Sequence, residues 1–279
     1  MLRRLGTVLI AQERYKAAEE VIRRLVEGYQ GRGGDDDNEN DNVNNPDAVD
    51  LLGQVLQHQG LYVKAERLYR RALLGKEKVQ GPEHSNTLTT VSNLGVVLSK
   101  QGRYEEAEPI HRQVFDRFKK VFGLEHPKTL TSVSNLGLVL WKQGKYEEAE
   151  EMHRRDLEGS ERTLGLEHPS TLVSVSNLGS ALLRQGKYDE AEAMHRRALL
   201  GREKVIGLQH PNTLITVAKL GLVLKGQGKY YEAEAMCLRA LEGLKKVLGP
   251  GHPDTLTAVG NLRSVLKEQG KYEEAEMYR

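Results

Sequence analysis

The tetrad Gln-Gly-x-Tyr returns every 42 residues, placing its glycine and tyrosine at Gly60 and Tyr62, Gly102 and Tyr104, Gly144 and Tyr146, Gly186 and Tyr188, Gly228 and Tyr230, and Gly270 and Tyr272. A degenerate seventh copy lies at Arg14-Tyr15. A fixed period of ~20–50 residues marks an array in which each unit buries its apolar face only against its neighbours. The 279 residues therefore predict one elongated domain of small units, not one large or two medium globular ones. The repetition is close. Between Glu125–Leu166 and Glu167–Leu208, 14 of 42 positions differ and 28 are identical.

Within one unit, His126-Pro127-x-Thr129-Leu130 opens a segment in which Leu130, Val133, Leu136, Gly137 and Leu140 recur at helical spacing. Proline suits the first helical position, where its missing N–H would be unpaired anyway, so His126 is the expected N-cap. Gln143-Gly144-Lys145 ends this helix, because glycine accepts the left-handed conformation of a helix terminus. A second helix starts near Tyr146-Glu147-Glu148-Ala149-Glu150, with acids where the helix dipole favours them and Arg154-Arg155 further along. Ala149 allows close approach of the two helices, while Tyr146, Met152 and Leu157 supply bulk. No alternating β pattern occurs, so the fold class expected is all-α: a right-handed superhelical α-solenoid of antiparallel helix pairs.

These residues carry a resemblance. Leu136-Gly137, Leu140, Ala149 and Pro169 fall where the tetratricopeptide pattern has its small and apolar landmarks, whereas Val133 and His153 depart from it at the Trp and Phe positions. The unit exceeds the usual ~34 residues by eight, about one extra turn per helix. Gly-Lys-Tyr-Glu-Glu-Ala-Glu followed by Leu-Gly-x-x-His-Pro resembles the 42-residue tetratricopeptide (TPR) repeats of kinesin light chains. It is similar also to the arrays that end many fungal and bacterial STAND-type (NLR-like) signalling ATPases. The second helix carries Gly75, Gly159, Gly201 and Gly243 where kinesin light chains usually have a bulky aliphatic residue. A helical glycine costs about 1 kcal/mol against alanine, so either helices pack closely there or the helix bends.

The units read as a partial first repeat over 1–30, an insertion over 31–46, full repeats over 47–82, 83–124, 125–166, 167–208 and 209–250, and a truncated last repeat over 251–279. The insertion runs from glycines into acids, and its Asp35, Asp37, Glu39 and Asp41 imitate a calcium loop. An EF-hand needs Gly sixth and Glu twelfth, and Pro46 stands at the twelfth position, so a solvated loop is the better reading. Its acids could instead fold onto basic residues of the solenoid. Both ends fall inside a repeat, which suggests a piece of a longer protein or ends that stack on another copy.

A formal net charge of +2 with 29% charged residues gives no global bias towards nucleic acid or acidic membranes. Cys237 is the only cysteine, no apolar run approaches the ~20 residues of a membrane span, and no signal-peptide pattern opens the chain, so a cytoplasmic setting is expected. The histidines form two rows: His84, His126, His168, His210 and His252 before first helices, and His111, His153 and His195 on second helices. Neighbours in one row should stand at least the ~8–10 Å of helix packing apart, too far to share a zinc ion. Capping and packing are their expected roles. No phosphate loop, nucleophile elbow or ligand-spaced Cys pair appears, so neither an enzyme nor a cofactor is expected.

First helices of tetratricopeptide arrays line a concave groove, and the resemblance implies peptide binding by the Asn that precedes Leu-Gly. That position holds Asn93, Asn135, Asn177 and Asn261, with Lys219 in the sixth copy. Asparagine offers donors and an acceptor to an extended backbone without demanding one side-chain sequence. Two turns on, the same face carries Trp141, a typical hot-spot type, and the cations Lys142, Arg184, Lys225 and Lys267, which favour a ligand bearing carboxylates. Against this stand Glu268 and neighbouring acids, the solubilising role of exposed lysines, and simple helix-end packing for Trp141. The expected function is a protein-interaction scaffold for an extended acidic segment. The competing class is the sensor or oligomerisation arm of a STAND-type ATPase, forming a homo-oligomer through its ends.

Overall fold

The computed structural model describes residues 2–30 and 45–278. Most of the acidic insertion, residues 31–44, lies outside the described residues. Among the described residues every regular element is α-helical. The helices follow one another as α1 (Leu2–Ala11) and α2 (Tyr15–Gln30), α3 (Pro46–His58) and α4 (Tyr62–Gln80), and α5 (Ser85–Lys100) and α6 (Tyr104–Phe122). Next come α7 (Pro127–Lys142) and α8 (Tyr146–Leu164), then α9 (Pro169–Arg184) and α10 (Tyr188–Ile206). The series ends with α11 (Pro211–Gly226) and α12 (Tyr230–Leu248), and α13 (Pro253–Glu268) and α14 (Tyr272–Glu276). The chain divides into two compact units, Met1–Val139 and Leu140–Arg279.

The repeated motifs account for the boundaries. His84, His168, His210 and His252 are N-caps whose Nδ1 accepts the backbone N–H two residues on, at 3.1–3.2 Å, and His126 does the same for Lys128 at 3.2 Å. The cap satisfies one of the donors left open at a helix start. The threonine of His-Pro-x-Thr-Leu closes the preceding loop, Thr171 Oγ1 donating to Gly165 O and Thr255 Oγ1 to Gly249 O, each at 2.8 Å. At the other turn Gly186 has φ +76°, a conformation glycine takes without Cβ strain. Lys187 N then donates back to Leu182 O at 3.0 Å, which closes the end of α9.

In the unit Met1–Val139, Leu9, Ala18, Ile22, Leu51, Leu52 and Val55 form one core cluster, and Leu56, Ala65, Tyr69, Leu94, Val97 and Leu98 lead the next. In the unit Leu140–Arg279, Val175, Leu178, Leu182, Ala191 and Ala198 sit between α9 and α10, and Leu214 through Leu266 fill α11 to α13. Helix pairs close through the glycine of Leu-Gly. A Cβ on Gly95 would meet His111 at 2.8 Å, one on Gly179 would meet His195 at 3.0 Å, and one on Gly221 would meet Cys237 Sγ at 2.8 Å. The ring that departs from the tetratricopeptide Phe position therefore lies on the bare backbone of the opposing helix. Gly201 and Gly243 show the same tightness: a Cβ there would approach Leu172 to 2.4 Å and Leu214 to 2.5 Å. At these two sites close packing, rather than bending, explains the glycine.

The Gln and the residue after Gly in the repeated tetrad fasten one repeat to the one before. Gln185 Nε2 and Lys187 Nζ both reach Glu150 Oε2 at 2.8 Å; Gln269 and Lys271 do the same to Glu234 at 2.8 Å. Burial alone would raise the Glu150 carboxyl, but hydrogen bonds from Lys187, Gln185 and Arg154 outweigh it and hold the group at about 2. The last acid of Tyr-Glu-Glu-Ala-Glu is thus an inter-repeat lock, a role the helix dipole does not describe.

Candidate functional site

The residues singled out from the sequence stand on odd-numbered helices; Lys142 and Arg184 lie seven residues after Asn135 and Asn177, a spacing that returns to the same face, whereas Trp141, Lys225 and Lys267 lie six after Asn135, Lys219 and Asn261. Asn93 on α5 and Asn135 on α7 belong to the first unit, while Asn177 on α9, Lys219 on α11 and Asn261 on α13 belong to the second. All five are half-buried. Among the described residues the four asparagine side chains have no hydrogen-bond partner within the protein. Their amides are open to a ligand backbone.

In the second unit several of the candidates meet. Trp141 is half-buried, and its indole Nε1 donates to Ser180 O on α9 at 3.3 Å. Tyr146 meets the ring edge-on with centroids 6.5 Å apart. Lys142 Nζ stands 5.1 Å from the ring centroid and the Arg184 guanidinium carbon 5.4 Å. Both are within the reach of cation–π attraction, worth about 0.5–1 kcal/mol each at an exposed site. Helix-end packing and display of the ring are therefore compatible. Lys225 Nζ donates to Ser264 Oγ on α13 at 2.8 Å, and Lys267 is exposed.

Lys219 departs from the row it occupies. Its Nζ reaches across to Ser176 Oγ on α9 at 3.3 Å. Burial, with Arg202 nearby, pushes its amine down to about 8. Arg202 of α10 is a site residue that helical periodicity alone does not single out. It is only 9% exposed, and its guanidinium donates to Thr216 Oγ1, to Asn212 O at 3.2 Å and to Leu172 O at 3.4 Å. The copies carry a signal for it: the same position holds Phe118 and Leu244 in two repeats but Lys76 and Ser160 in two others, so polar residues recur in a column that also accepts hydrocarbon.

Ion pairs in this unit gather on the even-numbered helices, although Arg263 of α13 also lies 4.0 Å from Glu276. On the even-numbered helices and the turns before them, Arg154 pairs with Glu150 and Glu190, Arg196 with Glu192, Lys204 with Glu167, Arg239 with Glu203 and Lys271 with Glu234. Among the described residues Lys142, Arg184, Lys219, Lys225 and Lys267 have no carboxylate partner. The odd-helix face thus keeps its positive charge available.

The second-helix histidines are core groups. His111 and His153 are pushed down to about 4 and His195 to about 3, by burial first and, for the latter two, by Lys219 next. Among the described residues no three His, Cys, Asp or Glu side chains are placed to hold a metal ion. No helix among them is long and apolar enough to cross a membrane.

Known proteins place this arrangement in context. The BtubC (BKLC) structure from P. vanneervenii is 25% identical, with a TM-score of 0.65 over 91% of this chain and 94% of that one. A Podosopora anserina kinesin-light-chain protein with nearly identical TPR-like repeats is 24% identical, with a TM-score of 0.63 over 72% of this chain and 95% of that one. The apo quorum sensor NprR from B. thuringiensis is 16% identical, with a TM-score of 0.72 over 98% of this chain and 72% of that one. No curated protein matches this sequence. The tetratricopeptide repeat family model matches residues 47–120, 89–162, 129–204, 170–225 and 213–278. With overlapping matches from residue 47 to residue 278, and helices bounded by the motifs described above, the chain belongs to the tetratricopeptide repeat family.

Proposed function

We propose that the chain is a non-enzymatic protein-interaction scaffold whose odd-helix face binds an extended acidic segment. One observation carries this reading: most even-helix cations of Leu140–Arg279, among them Arg154, Arg196 and Arg239, are paired with glutamates, whereas Lys142, Arg184, Lys219, Lys225 and Lys267 lack any carboxylate among the described residues. Asn177 and Asn261 add unengaged amides suited to a peptide backbone. Trp141, gripped by Ser180 O and flanked by two cations, supplies a rigid aromatic anchor of the type that dominates interfaces. The likeness in fold to a quorum sensor is consistent with a recognition role.

The test is fluorescence anisotropy with a labelled, C-terminally amidated octaglutamate. Lys142→Ala with Arg184→Ala should weaken binding about 10-fold, ~0.7 kcal/mol for each exposed cation, without loss of helicity. Affinity should fall with added salt, and the all-glutamine peptide should not bind. Unchanged affinity in the double variant, or equal binding of the glutamine peptide, would overturn the reading. A solution mass that grows with concentration and ignores these substitutions would favour an assembly arm, of the kind that ends STAND-type ATPases.

A further inference from the structure

Three repeats separate Lys76 from Arg202, and the two residues occupy the same place in their repeats. Lys76 of α4 is 3% exposed and fully answered: its Nζ lies 3.3 Å from Asp50 Oδ2, 3.4 Å from Asp47 Oδ1 and 2.9 Å from Thr90 Oγ1. This site opens into a cavity of about 230 Å³ that Asp47, Asp50 and Lys76 help to line. Adding 126 residues carries Thr90 to Thr216, which still accepts from the buried cation. The same step carries Asp50 to Ser176 and Asp47 to Val173, so both carboxylates are gone. It also carries Asn93 to Lys219, a second cation, whose nearest anchor is the Ser176 hydroxyl.

The result is two cations facing α9 with only uncharged oxygens for company. Arg202 uses three of its five N–H groups on Thr216, Asn212 and Leu172, and among the described residues neither Arg202 nor Lys219 meets a carboxylate. Beside them His195 is fully buried, and neither of its ring nitrogens has a hydrogen-bond partner. Its neutrality is enforced by burial and by the two cations. An uncompensated buried charge costs several kcal/mol, and unmade hydrogen bonds of a buried ring add to that. A carboxylate arriving from outside would supply what Asp47 and Asp50 supply to Lys76.

We propose that Arg202 and Lys219, between α9 and α11, form a carboxylate-binding pocket that receives an acidic group of the bound segment. The proposal rests on the preceding reading for the source of the carboxylate, but the pocket itself does not depend on it. A Glu or Asp side group and the free carboxylate that ends a peptide share this chemistry. Ser176→Asp rebuilds the internal counter-charge and should close the pocket to ligands, with Ser176→Asn as the uncharged control of similar size.

Glutarate is titrated at constant ionic strength against wild type, Ser176→Asp, Ser176→Asn and Lys219→Met, and the unfolding midpoint is read. Wild type and Ser176→Asn should rise with glutarate while Ser176→Asp and Lys219→Met stay flat, and Ser176→Asp alone should start about 2–4 °C higher. In anisotropy, Ser176→Asp should weaken amidated octaglutamate at least about 10-fold if glutamate side groups enter the pocket. If the terminus enters instead, that loss moves to a Gly-Ser octapeptide with a free carboxylate. Glutarate shifts that are absent in wild type, or equal in wild type and Ser176→Asp, would overturn the pocket even if the peptide binds. If glutarate behaves as expected and neither peptide binds, the pocket stands and the peptide-scaffold reading falls.

Discussion

Two helical glycines of the second unit should respond to alanine with opposite signs. Gly201 on α10 and Gly260 on α13 both lie within helices, where alanine is favoured by about 1 kcal/mol. At Gly260 nothing stands within 4 Å of an added Cβ, so Gly260→Ala should stabilise by about 0.5–1 kcal/mol. At Gly201 the new methyl would stand 2.4 Å from Leu172 Cδ2, 3.0 Å from Cδ1 and 3.3 Å from Cγ. Rotating the leucine brings one methyl to the place of the other, and Leu172 is buried at 3% exposure, so the clash must be relieved by displacement. Overpacking of this kind costs about 1–3 kcal/mol, and at 2.4 Å it exceeds the helical gain, leaving a net loss of up to about 2 kcal/mol. Urea unfolding followed by helical circular dichroism and by Trp141 emission measures both, with stability taken from midpoint shifts at constant slope. Leu172→Ala should relieve the strain, so the double variant should be about 1 kcal/mol or more better than the sum of the singles. If Gly201→Ala proves as stable as Gly260→Ala, close packing is not the reason for the glycine.

The buried histidines make acid the weak side of this fold. With His153 and His195 held at about 4 and about 3 when folded and at the ordinary 6.5 when unfolded, the unfolded protein binds more protons between those values. Their contribution is complete above pH 6.5 and is lost as pH falls towards about 4, with a slope of ~1.4 kcal/mol per pH unit for each ring. Urea midpoints at pH 7, 6 and 5 check this, and His195→Phe should flatten the slope by half in the second unit. Cys237 should be inert when folded, since burial pushes its thiol up to about 11 and it packs against Gly221. Labelling by a thiol-reactive disulfide should be at least about 100-fold slower in buffer than in urea, and equal rates would contradict that packing.

Local rules made much of the fold legible. His-Pro marks helix starts because capping needs only residues adjacent in sequence, and Gln-Gly marks ends for the same reason; α9 begins at Pro169 and closes through Gly186 as those rules require. What escaped depends on partners in another repeat. Glu150 reads as a dipole acid from its own helix, and its bonds to Gln185 and Lys187 come from residues 35 and 37 positions away. The candidate face was legible in part: spacing brought Trp141 and Arg184 to one side, but the stacking of Lys142 and Arg184 on the indole depends on side-chain rotamers that spacing does not set. Lys219 reads as one more groove cation, whereas its geometry ties it to Ser176 and sets it beside a second-helix arginine that helical periodicity assigns to the core.

That column of the repeat shows why near-identical units need not be interchangeable. Lys76, Phe118, Ser160, Arg202 and Leu244 occupy one position, and four of these five find a local solution. Phe118 and Leu244 are buried as hydrocarbon, Ser160 donates to Asp156, and Lys76 is neutralised by two aspartates. Leucine at this position in the next repeat demonstrates that the scaffold tolerates an apolar residue there without needing a charge to hold its helices together. A buried cation stabilises less than well-packed hydrocarbon of similar volume, so the arginine contributes something other than packing. Placed beside Lys219 and stripped of the carboxylates that serve Lys76, it leaves the second unit with a charge that only an incoming anion can satisfy. Specificity in such an array then resides where one copy breaks the chemical rule that its sister copies keep.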